Sequence, residues 1–221
     1  EAQKEAVAAE ARDLGRRVEI IKCDVTLEAD VSAMRDTALS AFGTVDILVN
    51  IAGGTGPLGV HSWETTPEQF DQIIDLNMKG CFLTMRSLLP TMIEKLYGKI
   101  VNVGGTFGLR GRALRMAYSA SKWGLRGITK STALEVGPHN INVNCVCPGM
   151  VDGPRFQKIC ADRADKLGIT MEEARAQHEA EYALRRISTD QDVANAILFF
   201  ASDASQNITG QDLAIDGGWV I

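Results

Sequence analysis

The sequence predicts an α/β domain in three layers, a parallel sheet wound on both faces by helices. Short runs of strand character, Arg17 to Cys23, Val45 to Asn50, Gly98 to Val103, Asn142 to Val146 and Gln211 to Asp216, alternate with helical segments. That alternation calls for right-handed crossovers and parallel strands. The run Val45-Asp46-Ile47-Leu48-Val49-Asn50 is a short, mostly apolar run of the kind a strand covered on both faces shows. Several runs open into glycines, Ala52-Gly53-Gly54 and Gly104-Gly105 among them.

The helices follow from periodicity and from their stop signals. The first spans Glu1 to Leu14 with Gly15 as its stop, and the second spans Glu28 to Phe42 with Gly43. A long helix is expected from Pro67 to Leu96, carrying Asn77 in its middle, and another from Met116 to Val136. A charged helical segment from Asp162 to Tyr182 sits where an insertion would go. The last helix, Asp190 to Ser202, begins behind Thr189 as its N-cap.

Composition narrows the functions. The 221 residues are 45% hydrophobic and carry a net charge of -5, enough for one domain, 1–221, with a core of its own and no basic field for nucleic acid. No apolar run approaches a membrane span, and no leader pattern is visible, so a cytoplasmic protein is expected. Five cysteines without CxxC spacing read as reduced thiols, and no metal site is expected.

Ligands of such sheets bind at the carboxyl ends of the strands. That rule selects Asp24, Asn50 to Gly53, Val103 to Thr106 and Pro148 to Gly153. Tight turns account for part of their glycines but not for the polar residues beside them. Tyr118 and Lys122, four apart on the Met116 helix, share one face. A phenol of pKa about 10 becomes a usable base at neutral pH when a cation favours its phenolate. A solvated surface pair is the alternative reading of that spacing.

Taken together, Asp24-Val25, Asn50-Ile51-Ala52-Gly53, Asn77 within Leu76-Asn77-Met78-Lys79-Gly80, Tyr118-x-x-x-Lys122 and Pro148-Gly149 resemble the classical short-chain dehydrogenase/reductase family, in that family's order and over nearly the whole chain. The resemblance implies a Rossmann-type fold and NAD or NADP as cofactor. It implies that Asp24 and Val25 hold the adenine and that Asn50, Ala52 and Gly53 line the adenosine ribose. Tyr118 is then the general acid/base, and Lys122 holds the nicotinamide ribose and lowers the Tyr118 pKa. Asn77 positions a relay water, and Pro148, Gly149 and Val151 seat the carboxamide.

Three departures accompany the resemblance. The serine expected thirteen residues before the tyrosine is Gly105, which leaves Thr106 or a bound water as the second donor to the reacting oxygen. Gly153 stands where a threonine is common, which should weaken cofactor binding. The family's first strand, its glycine-rich turn and its second strand have no counterpart, so the sequence is expected to be an N-terminally truncated fragment whose first two strands are absent.

The segment 154–188 would then be a substrate lid, and Gly105, Thr106 and Arg155 would border the substrate. Arg110, Arg112 and Arg115 read as a solvated charged face; the sharper reading is that one of them, or Arg155, binds an anionic substrate group. His61, His139 and His178 read as surface or loop residues, and Trp63 and Phe156 as loop packing or substrate cover. The apolar end Trp219-Val220-Ile221 suggests packing in a homodimer or homotetramer. The expected activity is hydride transfer between NAD(P) and a secondary alcohol or ketone; the alternative is a cofactor-binding or oligomerising pseudoenzyme, favoured by Gly105.

Overall fold

The structure, a computed structural model, describes residues 2–220. Four parallel strands form its sheet, in the order β1-β2-β3-β4: Ile47–Asn50, Gly98–Val103, Ile141–Pro148 and Asp212–Ile215. Register runs Leu48 beside Ile100, Ile100 beside Val143, and Cys145 beside Asp212. All four strands therefore end on the same side of the molecule, which is where the glycines gather.

Helices cover both faces. Leu48, Ile100, Ile141 and Val143 pack against Met85, Leu88 and Met92 of α4 (Gly80–Lys95) and against Ala133 and Val136 of α5 (Met116–Val136). On the other face Val101 and Val146 meet Phe200 of α8 (Asp190–Ala201). Each fully buried aliphatic side chain here is worth roughly 1.5–3 kcal/mol relative to exposure. Between α4 and α5, Asn50 donates to Asn102 at 2.8 Å, Asn102 donates to Thr129 at 2.9 Å, and the Thr84 hydroxyl donates to Asn50 at 2.7 Å. Four buried polar side chains thus satisfy one another.

The remaining elements refine the expectations. Helix α1 spans Ala2–Asp13, and Gly15 takes the left-handed conformation foreseen for its stop; Glu1 lies outside the described residues. Helix α2 is Glu28–Phe42, closed by Gly43 at φ 80. The long helix is α3 (Pro67–Ile74), a π-turn (Asp75–Lys79) and α4 in succession, so Asn77 sits in a widened turn of the kind that recurs at functional sites. Thr66 and Gln69 cap its start reciprocally.

Two expectations are corrected. Residues 17–23 form no strand, because an extended segment becomes one only through a ladder and no described segment pairs with it. The charged segment is two helices, α6 (Pro154–Leu167) and α7 (Met171–Glu179), because Gly168 turns left-handed at φ 65 and Thr170 with Glu173 forms a new capping box. Among the described residues no helix is long and apolar enough to cross a membrane.

Candidate active site

The strand ends open into a cavity of about 580 Å³. Its wall includes Gly53 after β1, Gly105 and Thr106 after β2, Tyr118 and Lys122 of α5, and Pro148 to Phe156 after β3. One space thus gathers Gly53, Gly105, Thr106, Tyr118, Lys122, Pro148, Gly149, Val151 and Arg155 from the expected set. Asp24, Val25, Asn50, Ala52 and Asn77 stand outside its wall. Asp24 is exposed, its carboxylate accepting from the backbone N–H and hydroxyl of Thr26. Val25 packs on Gly80, where any Cβ would come within 2.8 Å of it. The Asn50 side chain faces the buried amide ladder instead of the cavity.

Helix α5 carries the phenol and the ammonium because Tyr118 and Lys122 fall one turn apart on the face that meets the ends of β2 and β3. Lys122 is 6% exposed, so the pair is not a solvated surface pair. Its Nζ donates to the Val103 carbonyl at 2.9 Å, which draws it to the sheet and leaves it 5.8 Å from the Tyr118 ring centre. Burial pushes the Lys122 ammonium below its ordinary value, while the thiols of Cys81, Cys145 and Cys147 act the other way.

The Tyr118 phenol is raised, not lowered. Burial drives the rise, and the nearby charges that oppose it are Arg115 first and Arg155 second. The Arg115 guanidinium lies 4.6 Å above the Tyr118 ring centre. Arg110 lies over Trp219 at 4.3 Å and Arg112 over Phe107 at 5.6 Å. Arg110 and Arg115 are thus half-buried over aromatic rings, whereas Arg112 is exposed, as expected of a solvated charge.

Asn77 is fully buried behind the cavity, and both its amide hydrogens are spent: Nδ2 donates to the Gly54 carbonyl at 3.1 Å and to Ser121 Oγ at 3.0 Å. Its Oδ1 accepts from the Gly54 N–H at 2.8 Å. Ser121 passes the connection on by donating to the Tyr118 carbonyl at 2.7 Å. The amide thus clamps the Gly53–Gly54 loop to the tyrosine's own helix. Gly53 is bare of necessity, since a Cβ there would stand 2.9 Å from Asn77 Oδ1. Ser121 was not among the residues singled out, although its place three after Tyr118 puts it on the same face.

The segment foreseen as a lid packs beside the cavity. Phe156, Cys160, Ala174, Tyr182 and Trp219 form a buried cluster, with Tyr182 and Trp219 stacked at 5.2 Å. Phe156 is thus core to the lid as well as cavity wall. Trp219 is buried within its own chain, so the apolar end is spent there at that residue; Ile221 lies outside the described residues. His178 is buried against Phe156, 5% exposed, which corrects its reading as a surface residue. Trp63 is exposed and stacks on His61. Asp152 holds Arg175 of α7 at 2.7 Å, pinning the loop after β3 to the lid.

Cys145 and Cys147 lie 3.8 Å apart beneath Gly104, and with Asp212 they bring three ligand-type atoms within 4.8 Å of one another. C-x-C spacing alone did not suggest this, because Asp212 arrives from β4. Its carboxylate is already matched by Arg126 at 2.9 Å and Lys130 at 2.7 Å.

The residues fit a dinucleotide at its reacting end, where glycines leave backbone bare at the strand ends and Lys122 borders the cavity without a carboxylate partner among the described residues apart from the backbone bond above.

Comparison with known proteins agrees. A family model described as enoyl-(acyl carrier protein) reductase matches residues 1–220. The chain is 37% identical over 207 residues to a D-beta-hydroxybutyrate dehydrogenase of Cupriavidus necator, covering 93% of this chain and 80% of that protein. It is 36% identical over 215 residues to a 3-alpha-(or 20-beta)-hydroxysteroid dehydrogenase of Mycobacterium tuberculosis, covering 97% and 75%. The crystal structure of NAD+-bound xylitol dehydrogenase superposes with a TM-score of 0.88 at 28% identity, covering 97% of this chain and 84% of that one. The chain belongs to the classical short-chain dehydrogenase/reductase family, and is an NAD(P)-dependent alcohol dehydrogenase or ketone reductase of that type.

Proposed function

We propose that Tyr118 is the proton donor and acceptor of this oxidoreductase, and that the substrate's carbonyl or alcohol oxygen meets its hydroxyl in the cavity beneath the lid. The observation that carries the reading is the convergence of Tyr118, Lys122, Arg115 and Arg155 on one cavity at the strand ends. Bound NAD(P) would supply or accept the hydride there. Gly53, Pro148, Gly149 and Val151 would receive its nicotinamide half against bare backbone, with Lys122 toward the ribose hydroxyls.

The chain's own groups divide the remaining work. A phenol raised by burial stays protonated through neutral pH, which suits donation to a carbonyl oxygen during reduction. The two arginines limit that rise and favour the phenolate that oxidation of an alcohol requires. Asn77 and Ser121 position the Tyr118 helix against the Gly54 loop by hydrogen bonds, so the phenol's aim is set before a ligand arrives. The lid cluster of Phe156, Tyr182 and Trp219 excludes water from the outer side.

In the place of a serine, Gly105 brings its backbone so close that a Cβ there would lie 3.3 Å from the Tyr118 hydroxyl. The second donor to the substrate oxygen is assigned to Thr106, a buried hydroxyl on the next residue of the same wall. Replacing Thr106 by Val tests this: a fall of about 100-fold in turnover is expected from losing such a donor, and an unchanged rate would hand the role to water. The pseudoenzyme alternative requires that no ketone or alcohol is turned over with either cofactor across a broad panel. Assembly as a homo-oligomer and a cytoplasmic setting complete the proposal; light scattering and cell fractionation check them.

A further inference from the structure

The arginines around Tyr118 are not equivalent. Arg110 and Arg112 lie on Trp219 and Phe107, whereas Arg115 and Arg155 line the cavity itself. Arg115 is half-buried, and its Nε is enclosed with no hydrogen-bond partner. Among the described residues neither Arg115 nor Arg155 has a carboxylate within 4.0 Å. Of the two acids in the cavity wall, Asp152 is taken by Arg175 at 2.7 Å, and Asp190 stands at the start of α8 without pairing with either arginine. With Lys122, three cations border one phenol, and among the described residues no carboxylate pairs with them.

Holding like charges near one another is unfavourable unless a counter-charge arrives, most of all for one that is partly withdrawn from water, as Arg115 is. Arg115 feels this, since burial first and then the charges of Arg155 and Arg112 disfavour its ionised form. A planar guanidinium binds a carboxylate or a phosphate with two parallel hydrogen bonds, which makes an unpaired cavity arginine a recognition group for such anions. The position of the two residues gives the anion a use. Arg115 rests on the ring of Tyr118 and Arg155 opens the first lid helix, so an anion between them lies beside the phenol and under the lid.

We propose that Arg115 and Arg155 form an anion subsite, and that the substrate is a ketone or secondary alcohol bearing a carboxylate or a comparable anionic group that this subsite holds while its oxygen faces Tyr118. The subsite rests on the reading of Tyr118 as the group that meets the substrate oxygen. It also explains how a site with Gly105 in place of a serine keeps its substrate oriented: the grip on the reacting oxygen is supplemented by a grip on a second, charged point.

The test uses pyruvate, acetoacetate and levulinate, each beside its methyl ester, titrated calorimetrically into the protein alone. At least one acid is expected to bind tenfold or more tightly than its ester, in the wild type and in Tyr118→Phe alike. Arg155→Gln should abolish that preference and Arg155→Lys keep part of it; Arg155 is exposed, so its removal opens no gap in the core. Arg115→Gln is the second variant, with thermal melting to confirm that it folds. Equal binding of acids and esters across the panel overturns the proposal. It is equally overturned if Arg155→Gln weakens NAD(H) or NADP(H) tenfold while the acid-to-ester ratio stays unchanged, since the anion would then be the cofactor's phosphate. Acids that bind through Arg155 but are never reduced would leave the subsite standing and remove Tyr118's role. Acids and esters reduced equally well would do the reverse.

Discussion

The Tyr118 region and the Asp24 region, the two ends of the proposed cofactor site, are built in different ways. At the Tyr118 end, Lys122, Thr106, Asn77 and Ser121 are nearly or wholly withdrawn from water, and hydrogen bonds run from Gly54 through Asn77 and Ser121 to the tyrosine's own backbone. At the Asp24 end the Asp24 side chain is exposed, residues 17–23 pair with no described strand, and the local order is a short-range turn in which Asp24 accepts from Thr26 and donates its N–H to Asp30. The difference teaches which half of the chemistry is pre-formed. The proposed proton transfer would have its scaffold in β1 to β3, α5 and the π-turn, whereas the described residues do not pre-form a cradle for a nucleotide's far end.

The sharpest way to break this contrast is at the phenol. Tyr118→Phe keeps the ring that Arg115 covers and removes only the hydroxyl, so turnover should fall about 10²- to 10⁴-fold while cofactor affinity, measured by fluorescence titration, changes little. Equal losses in both would mean that the two ends are one unit. Next in size is the amide ladder. Asn102→Ala leaves Asn50 without its acceptor in a dry interior, and urea unfolding should show a loss of about 1–3 kcal/mol.

Gly105→Ser probes whether the missing serine is a simple vacancy. Its Cβ would press on the Tyr118 hydroxyl at 3.3 Å, so turnover should drop by roughly tenfold, in line with a barrier increase of about 1.4 kcal/mol; a tenfold gain would show that the wall has room. The smallest effect belongs to the open end. Thr26→Ala removes a hydrogen bond to an exposed carboxylate, and the change in unfolding free energy should stay within about 0.5 kcal/mol. A cost equal to that of Asn102→Ala would erase the contrast between the ends.

Much of this was legible in the residues. Periodicity placed α2, α5, α8 and the strands of the observed sheet within a few residues of where they lie, because those segments are long or doubly buried and few folds accommodate them. Gly15, Gly43 and Thr189 worked as punctuation because each has a single backbone reason to be there. Residues 17–23 misled because strand character describes a segment, while a strand is a relation between segments. The break at Gly168 was missed because a lone glycine within a charged helical pattern also occurs in helix interiors.

The site was legible in type and less so in detail. Strand-end logic found Gly53, Gly105 and Pro148, since it depends only on chain order, and helical spacing found Tyr118 with Lys122. It could not show that Lys122 would be drawn to Val103 and that Arg115 would stand on the tyrosine ring, because both depend on side-chain directions across a loop. Nor could it see that both amide hydrogens of Asn77 are used within the protein. The partner that consumes one of them, Ser121, became a neighbour only when the π-turn and α5 packed together.

The account's central claim is that the proton moved in catalysis is the one on Tyr118. The direct test compares two titrations on the cofactor-saturated protein: the pH dependence of kcat/KM for ketone reduction, and the phenolate difference absorbance that vanishes in Tyr118→Phe. Reduction needs the protonated phenol, so the rate should fall with rising pH through the pKa that the absorbance reports. Arg115→Gln removes the larger of the two charges that pull that pKa down, so both curves should move to higher pH together. A kinetic limb that stays in place while the Tyr118 signal moves would contradict the claim.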